Sequence, residues 1–455
     1  MGNRKKKSLF LAIGAILLVL IVLGWFIFGV FEGEKPQITL QPLPEYLSGI
    51  QEFTLTTTDM KRGLRNLQVF LSQEGRKINI LTEPFPFKGL FNQEGTRRYD
   101  TEFSLDPSQL NLAQGRVDLI VRVWDHSRRS GGDGNVSMIH HKMIVDTIPP
   151  AIRAVSRSHY VNVGGTGLVV YQTSSDSVES GVFVGDRFFK GYPADEESQE
   201  GYHVCYFAIS PIKGTNPEIY LWAEDKAENR SRAGFYYHIR RKRFRTEKIN
   251  ISGRFLKRVL PYFSFYSFAP EASDEEKFLQ INQELRKENA QTFYELKSET
   301  NPAQLWTGKW LRLKNAANMA NFGDRRLYYY NGKKIDKQVH LGVDLASLAN
   351  SKVQAANNGR VIYAERLGIY GNTVVLDHGQ GLASVNSHLS HINVEAGQEV
   401  MKGDVVGLTG QTGLAGGDHL HFGILVNGEF VNPIEWWDPH WIEDNISKKL
   451  TLINK

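Results

Sequence analysis

Residues Gly416–Ile424 read GGDHLHFGI and place His419 and His421 two positions apart. The flanking residues have the pattern of a β-strand, in which residues i and i+2 point to the same face. Two imidazoles side by side can be two metal ligands, a ligand beside a proton-transfer group, or two polar residues on an exposed face. A His-x-His pair alone favours the last interpretation, so the role of this stretch depends on partners elsewhere in the chain.

Length and composition indicate an ordinary globular protein of several domains. The chain has 455 residues, enough for roughly three domains. Its formal net charge is +5, and no recognisable nucleic-acid-binding motif accompanies that mild excess, so we predict no nucleic-acid partner. Cys205 is the only cysteine in the sequence. This excludes an internal disulfide and a multi-cysteine zinc site, and it predicts that Cys205 is a small buried core residue.

The N-terminus has the pattern of a membrane anchor. Arg4 and Lys5–Lys7 precede an uncharged run from Leu9 to Phe31, which exceeds the ~20 residues needed to cross a bilayer as a helix. No small-x-small cleavage site follows the run, so an uncleaved anchor is favoured over the alternative, a cleaved signal peptide. The basic cluster predicts that residues 1–35 form a cytoplasmic tail and a transmembrane helix, with the rest of the chain outside.

The middle of the chain is predicted to form two β-sandwich domains. Two alternating runs, VDLIVRVWD (Val117–Asp125) and EIYLWAED (Glu218–Asp225), look like copies, since each ends in Trp and Asp before a polar loop that reaches an Asn. The prolines of VDTIPPAI (Val145–Ile152) predict a junction between the copies. The layout resembles tandem bacterial immunoglobulin-like domains, which implies domains at 36–147 and 148–245. One large β domain is the alternative.

A helical linker is predicted to follow. Ser273 and Glu276 have the spacing of a capping box. Three apolar residues after it fall on one helical face: Phe278, Ile281 and Leu285. We expect this helix to pack on a neighbouring domain. The predicted boundaries are 246–325 for the linker, 326–440 for a β-rich, glycine-punctuated domain and 441–455 for a C-terminal tail.

Upstream residues supply partners for the two histidines. VHLGVDLA (Val339–Ala346) contains His340 and Asp344, and the surrounding residues predict extended chain. In a straight strand these two residues are ~13 Å apart, at ~3.3 Å per residue, whereas two ligands of one zinc each lie about 2.0–2.2 Å from the ion. If both bind one ion the chain must bend, and Gly342 permits that bend. His388, in VNSHLSHI, is a further candidate.

The combined set of residues has a specific resemblance. His, Asp and His from two separated segments match a catalytic zinc site of three protein ligands and one open position. With the stretch VEAGQEVMKGDVVGLTGQTGLAGGDHLHFGI, these motifs resemble the lysostaphin/LytM-type zinc metallopeptidases, which cut peptide crosslinks in peptidoglycan. The resemblance covers roughly residues 326–437. It implies one Zn²⁺ per chain with three ligands, His340, Asp344 and His421. It also implies two catalytic histidines, His388 and His419, and which of them is the general base stays open.

The function implied by this resemblance is that of a membrane-anchored zinc metalloendopeptidase that hydrolyses peptide crosslinks of peptidoglycan. The implied fold is mainly β, with a LytM-like peptidase domain behind the anchor and the immunoglobulin-like domains. The implied location is the bacterial cytoplasmic (inner) membrane, single-pass, with the C-terminal domains periplasmic or extracellular. The alternative is a non-catalytic LytM-like scaffold or amidase activator, although such relatives typically lack several of the five residues.

Two positions depart from the family pattern. Asn386 stands where the family often has Tyr, and Asp418 stands where it often has Pro before the His-x-His pair. We expect Asn386 to weaken substrate packing and Asp418 to add an acidic group beside the site. Two other histidines are predicted to be structural: His378 and His391. Two aromatic runs are predicted either to flank a peptide groove or to pack in the core: Tyr328–Tyr330 and Trp436–Trp437.

Overall fold

The computed structural model describes residues 2–194, 201–212 and 216–453, and it is mainly β, as the sequence predicts. The chain forms two compact units, one of residues 1–149 with 226–229 and one of 150–225 with 230–455. The ends of the predicted anchor and tail, Met1, Asn454 and Lys455, lie outside the described residues. The domain boundaries given above remain a proposal.

The first unit contains two β-sheets around one core. A three-stranded sheet has the order Gln37–Gln41, Gln51–Thr58 and Arg98–Leu105. A five-stranded sheet has the order Tyr46–Leu47, Val136–Val145, Gly115–Asp125, Leu64–Gln73 and Arg76–Pro84. Buried residues alternate along Gly115–Asp125 because side chains point alternately to the two faces of a sheet. The immunoglobulin-like assignment of this unit stays a prediction.

The asparagine that ends each repeated loop makes the same kind of bond. The side-chain amide of Asn135 donates to the backbone carbonyl of Glu32 at 3.1 Å. The amide of Asn229 donates to the backbone carbonyl of Asp146 at 3.0 Å. Each asparagine therefore ties its loop to a segment near the start of the adjoining β-rich region, which is a physical reason for the repeated pattern.

One long apolar helix precedes these sheets. It spans Gly2–Val30, and its segment Lys7–Val30 is 24 residues long. Length and composition are sufficient to cross a bilayer, and a secretory signal sequence has the same properties. The helix is consistent with either a signal sequence or a single-pass anchor.

The second unit contains the remaining sheets. An eight-stranded sheet has the order Ala317–Ala320, Val343–Ala346, Leu420–Val426, Leu382–Leu389, Gly371–Asp377, Gly359–Leu367 and Glu399–Val400, with Glu429–Val431 paired to Leu420–Val426. Two three-stranded sheets adjoin it: Thr246–Ile251, Arg325–Tyr330 and Lys333–Val339, and Lys352–Gln354, Val405–Leu408 and His391–Ile392. The other strands are Ile152–Ala154, His159–Asn162, Thr166–Thr173, Ser177–Val184, Arg187–Lys190, Tyr192–Pro193, Tyr202–Ala208, Ile219–Asp225, Arg230–Ala233 and Tyr237–Arg240. Cys205 is fully buried among them, as predicted.

Short helices complete the second unit. They span Gly253–Val259, Asp274–Gln280, Arg286–Glu295, Ile434–Trp437, Pro439–Ile442 and Lys448–Leu450, and a π-turn at Ile281–Leu285 joins the second to the third. The predicted capping box is present, because Ser273 accepts from the backbone N–H of Glu276 and the Glu276 carboxylate accepts from that of Ser273. The three apolar residues predicted on one face are all buried.

His378 is structural, as predicted, and its burial makes it sensitive to acid. Its Nδ1 donates to the carbonyl of Asn358 at 2.6 Å, its Nε2 accepts from the hydroxyl of Ser384 at 2.9 Å, and its ring lies 4.4 Å from that of Trp310. Burial lowers the pKa of His378 from 6.5 to about 4. The folded state therefore favours the neutral ring.

Lowering the pH from 7 to 4 is expected to destabilise the second unit through His378. The stabilisation is complete above pH 6.5 and is lost as the pH falls towards about 4, because the unfolded chain then binds the proton more readily. At about 1.4 kcal/mol per pH unit, the effect is on the order of 3 kcal/mol. Thermal unfolding between pH 7 and 4 should show a smaller loss in His378→Asn than in wild type, with exposed His391→Asn as the control. An unchanged loss in His378→Asn would contradict this assignment.

Candidate active site in the C-terminal domain

The central strands of the eight-stranded sheet position the predicted site residues. His421 lies on Leu420–Val426, directly opposite Asp344 on the neighbouring strand. His419 lies just before that strand and forms an isolated β-bridge with Gly410. His388 lies on Leu382–Leu389, the strand on the other side of His421. Sheet pairing thus brings together residues that are far apart in sequence.

Three side-chain atoms from these segments converge. Asp344 Oδ1 lies 2.9 Å from both His340 Nε2 and His421 Nδ1, and the two nitrogens are 3.1 Å apart. All three residues are less than 9% exposed. The chain bends at Gly342, as the sequence predicts, and this brings His340 back towards Asp344. The residues form a group of His and Asp side chains that could hold a metal ion.

The backbone at Gly342 passes so close to the His421 ring that only glycine fits at this position. A Cβ atom at Gly342 would lie 2.4 Å from both Cε1 and Nε2 of the His421 ring. That distance is far below van der Waals contact, so any other residue would displace the ring. Gly342 therefore sets both the bend and the position of His421.

The tautomer of His340 indicates that a cation fits between the three atoms. His340 Nδ1 lies 3.0 Å from the backbone carbonyl of Asn321, and since a carbonyl only accepts, Nδ1 carries the proton. A neutral His340 then points the lone pair of Nε2 at the Asp344 carboxylate, an arrangement that repels without a proton or metal between them. Ligands about 2.0 Å from a tetrahedral zinc lie about 3.3 Å from one another. The observed triangle is close to that size.

Arg326 completes the surroundings of the carboxylate. Its Nη2 donates to Asp344 Oδ2 at 2.7 Å, which leaves Oδ1 facing the histidines. Burial disfavours the charged form of Asp344, but the nearby histidines, His340 first, outweigh it and hold its pKa well below the usual value. Burial likewise disfavours charged Arg326, and the charge of Asp344 outweighs it and raises the pKa of Arg326.

The other two histidines lie beside this group. His388 Nδ1 donates to the carbonyl of Thr412 and His419 Nδ1 to that of Gly417, each at 2.8 Å. Their ring centres are 4.8 Å apart, and His419 Nε2 lies 3.6 Å from Asp344 Oδ1. In both rings Nδ1 is held by a carbonyl, so Nε2 is the nitrogen that can exchange a proton with a bound molecule.

Burial and neighbouring charges push the pKa values of these two histidines apart. Burial, with the nearby His419 and His421, holds the pKa of His388 well below its ordinary value. Burial also opposes the charged form of His419, but hydrogen bonding and attraction to Asp344 outweigh it and raise its pKa. His388 also has a backbone φ of 63°, in the left-handed region that few non-glycine residues adopt.

All five residues line one cleft, with a volume of about 540 Å³. One wall comes from the segment predicted as a linker, through Phe255, Phe278 and Arg286. Arg258 fastens this wall by donating to the carbonyl of Gly416 at 2.8 Å. The helical segment thus packs on its neighbour, as predicted, and it helps to form the cleft. The sequence interpretation missed Arg286 and Arg326, because a lone arginine carries no motif signal.

The remaining predicted positions are divided between the cleft and the interior. Asp418 and Tyr328 line the cleft. Trp436 is fully buried and packs against Trp310. Trp437 stacks on Phe422. Asn386 is fully buried beside Phe422 in a separate small cavity, so its side chain does not line the cleft.

A family comparison agrees with this site. Residues 338–433 match the model of Peptidase family M23. The C-terminal domain belongs to peptidase family M23. The M23 domain contains all five predicted site residues, and the match confirms the resemblance to lysostaphin/LytM-type peptidases that the motifs indicate.

The M23 domain is also similar to individual bacterial proteins. It is 36% identical over 97 residues to the DD-carboxypeptidase/endopeptidase Mpg of Neisseria meningitidis serogroup B, covering 21% of this chain and 22% of that protein. It is 36% identical over 118 residues to the peptidoglycan DD-endopeptidase ShyA of Vibrio cholerae, covering 26% of each. The catalytic domain of lysostaphin from Staphylococcus simulans matches 28% of this chain and 94% of its own at 27% identity, with a TM-score of 0.24. The matches span about a quarter of the length of these curated relatives.

Proposed function

We propose that this protein is a zinc metalloendopeptidase that hydrolyses peptide crosslinks of peptidoglycan. The observation that carries the proposal is the triangle of His340 Nε2, Asp344 Oδ1 and His421 Nδ1, with edges of 2.9–3.1 Å, in an open cleft beside two further histidines. Two relatives of the M23 domain are named as endopeptidases, one of them of peptidoglycan, which supports the substrate class.

The three triangle residues would hold one zinc ion. Two imidazole nitrogens and a carboxylate oxygen are the donor set of a catalytic zinc site with an open fourth position. When bound, zinc supplies Lewis acidity and activates water for attack at neutral pH. The chain's own contribution begins with Arg326 and Asn321, which orient Asp344 and His340 through the hydrogen bonds described above.

His388 and His419 would handle the protons of the reaction. Peptide hydrolysis requires that a proton leave the attacking water and that one reach the leaving amine. The Nδ1 proton of each ring is held by a backbone carbonyl, so Nε2 of each ring exchanges protons with the substrate. The same bonds fix both ring planes.

Digestion of purified peptidoglycan tests this function directly. The zinc-loaded full chain in detergent should convert crosslinked muropeptides into uncrosslinked ones, as measured by liquid chromatography and mass spectrometry. Heat-treated protein and the Asp344→Asn variant serve as controls and should leave the crosslinks intact. Zinc binding without any loss of crosslinks would contradict the enzyme proposal and favour the scaffold or amidase-activator alternative.

We also propose that the N-terminal helix anchors the protein in the cytoplasmic membrane. A reporter that is active only outside the cytoplasm should be active when fused after Lys455, because basic residues before an apolar helix favour a cytoplasmic N-terminus. After cell fractionation, the fusion should remain in the membrane at full length. Deleting residues 1–31 is the control and should leave the reporter inactive in the cytoplasm. A full-length fusion active only in the cytoplasm would contradict the topology, and a released, shortened fusion would indicate a cleaved signal peptide.

A further inference from the structure

Three carboxylates meet in the interior of the first unit. Glu32 follows the apolar helix, Asp59 follows the strand Gln51–Thr58, and Asp125 ends the strand Gly115–Asp125. Their exposed fractions are 7%, 5% and 0%. One carboxylate oxygen from each lies within 4.8 Å of those from the other two. The cluster is therefore both buried and compact.

Backbone and amide donors hold two of these carboxylates in place. Asp59 Oδ1 accepts from the backbone N–H groups of Arg62 and Gly63, each at 2.9 Å. Asp125 Oδ1 accepts from the backbone N–H of Asn135, and its Oδ2 accepts from the side-chain amide of the same residue, each at 2.7 Å. Both carboxylates are thus held in fixed positions by N–H donors.

Glu32 lacks comparable partners. Its Oε1 is buried and has no hydrogen-bond partner in the part of the chain that the structure describes. Its Oε2 accepts a long bond, 3.3 Å, from the backbone N–H of Glu34. Burial raises the pKa of Glu32, and the charges of Asp59 and Asp125 raise it further. A buried carboxylate with an unpartnered oxygen thus lies beside two other carboxylates.

The basic residues nearby do not pair with the cluster. Lys61 forms its ion pair with Glu34 at 2.7 Å. Arg62 is buried, and its Nη1 donates to the backbone carbonyl of Phe91 at 3.4 Å. Among the described residues, no lysine or arginine nitrogen lies within 4.0 Å of the three carboxylates. Like charges this close and this buried repel one another, and a bound cation would offset that repulsion where no ion pair does.

We propose that Glu32, Asp59 and Asp125 bind one Ca²⁺ ion. The donors are all hard oxygens, which excludes the nitrogen- and sulfur-rich sites that zinc and copper prefer. Calcium accepts about 6–8 oxygens in irregular geometry, whereas Mg²⁺ requires a near-ideal octahedron. Three carboxylates from three separate segments suit the more tolerant ion, and water or backbone carbonyls complete its shell.

The ion would fasten the chain that leaves the apolar helix. Glu32 lies two residues beyond Val30, the last helical residue, while the other two ligands belong to the β-strands and their loops. The carbonyl of Glu32 is already held by Ser127 and Asn135, at 2.9 and 3.1 Å. Calcium would add a link through the side chain and would stiffen this junction. Calcium sites in extracellular modules have dissociation constants of about 10⁻⁴–10⁻³ M.

A calcium titration of the full chain in detergent tests this proposal. The protein is stripped of calcium, zinc is kept constant, and hydrogen–deuterium exchange is followed by mass spectrometry as CaCl₂ is added. Exchange should slow by more than about tenfold at residues 31–36, 59–63 and 125–135. Glu32→Gln should weaken calcium binding by more than about tenfold. Without calcium it should exchange as slowly as wild type or more slowly, because the substitution removes a repelling charge.

Two controls make the result decisive. Glu34→Gln changes an exposed neighbouring carboxylate that pairs with Lys61, and it should keep the wild-type calcium response. Asp59→Asn should lose that response in the same way as Glu32→Gln. The proposal is overturned by a wild-type chain without calcium-dependent protection, or by a Glu32→Gln variant with the wild-type response. Equal protection by Mg²⁺ at the same concentrations would overturn the assignment to calcium.

Discussion

Replacing Asp344 with asparagine is expected to lower the zinc affinity of the protein by more than about 100-fold. Loss of a residue that merely orients a ligand typically costs about 10- to 100-fold, and Asp344 contributes the central oxygen of the triangle. Its Oδ1 lies 2.9 Å from both imidazole nitrogens. An amide keeps the size of the side chain but removes the negative charge. Zinc per chain, measured by mass spectrometry after gel filtration, should fall from about one to near zero.

A neighbouring acidic residue provides the matched control for this experiment. Asp418 lines the same cleft, and its Oδ2 accepts from the backbone N–H of Asn350 at 3.3 Å. It does not belong to the metal-binding group. Asp418→Asn should therefore keep its zinc. Full zinc in Asp344→Asn would show that the proposed ligands are wrong, and zinc loss in both variants would indicate a general effect of charge in the cleft.

The motifs in the sequence, through their resemblance to a known family, predicted which residues meet at the site. If His340 and Asp344 bind one ion the chain between them must bend, and the structure has a bend at Gly342. The residues that flank the His-x-His pair predicted a strand, and His421 lies on one, while His419 lies just before it. The capping box at Ser273 was also predicted correctly, because a capping box depends on residues close together in the chain.

The walls of the cleft could not be predicted in the same way. Arg326, which contacts Asp344, lies on the strand Arg325–Tyr330, and this strand pairs in parallel with Thr246–Ile251, far away in sequence. The helix of residues 274–280 was predicted. The spacing of its apolar residues identified the buried face of the helix, but not the part of the protein against which that face packs. Parallel pairing and helix docking are non-local, so they leave little trace in spacing or periodicity.

The extent of burial in the structure distinguishes between a groove position and a core position for residues whose location the sequence left open. The adjacent aromatic residues Trp436 and Trp437 could flank a groove or pack in the core, and Trp436 packs against Trp310 in the core. Asn386 was expected to affect substrate packing, yet it is fully buried beside Phe422 and does not line the cleft. The residue type at such positions is compatible with either environment, so only the tertiary structure distinguishes them.

Replacing His388 or His419 with alanine is expected to leave zinc bound while reducing endopeptidase activity by about 10²–10⁴-fold, the usual contribution of a general acid or base. Neither residue belongs to the triangle, since His419 Nε2 lies 3.6 Å from Asp344 Oδ1 and His388 touches the group only through its ring. Zinc content and release of uncrosslinked muropeptides should be measured on the same purified samples. His391→Ala, an exposed histidine close to His388 in sequence, is the control and should keep both.

The pattern of zinc and activity across these variants separates proton transfer from metal binding. If His419 were a ligand, His419→Ala would lose zinc while His421→Ala kept it, which would reverse the two proposed roles. The distances argue against that exchange: Nε2 of His419 lies 3.6 Å from Asp344 Oδ1, whereas Nδ1 of His421 lies 2.9 Å from that oxygen and 3.1 Å from His340 Nε2. Unchanged turnover in both His388→Ala and His419→Ala would reject the catalytic proposal, because zinc alone cannot deliver a proton to the leaving amine. The three metal-binding residues would then belong to a non-catalytic scaffold protein.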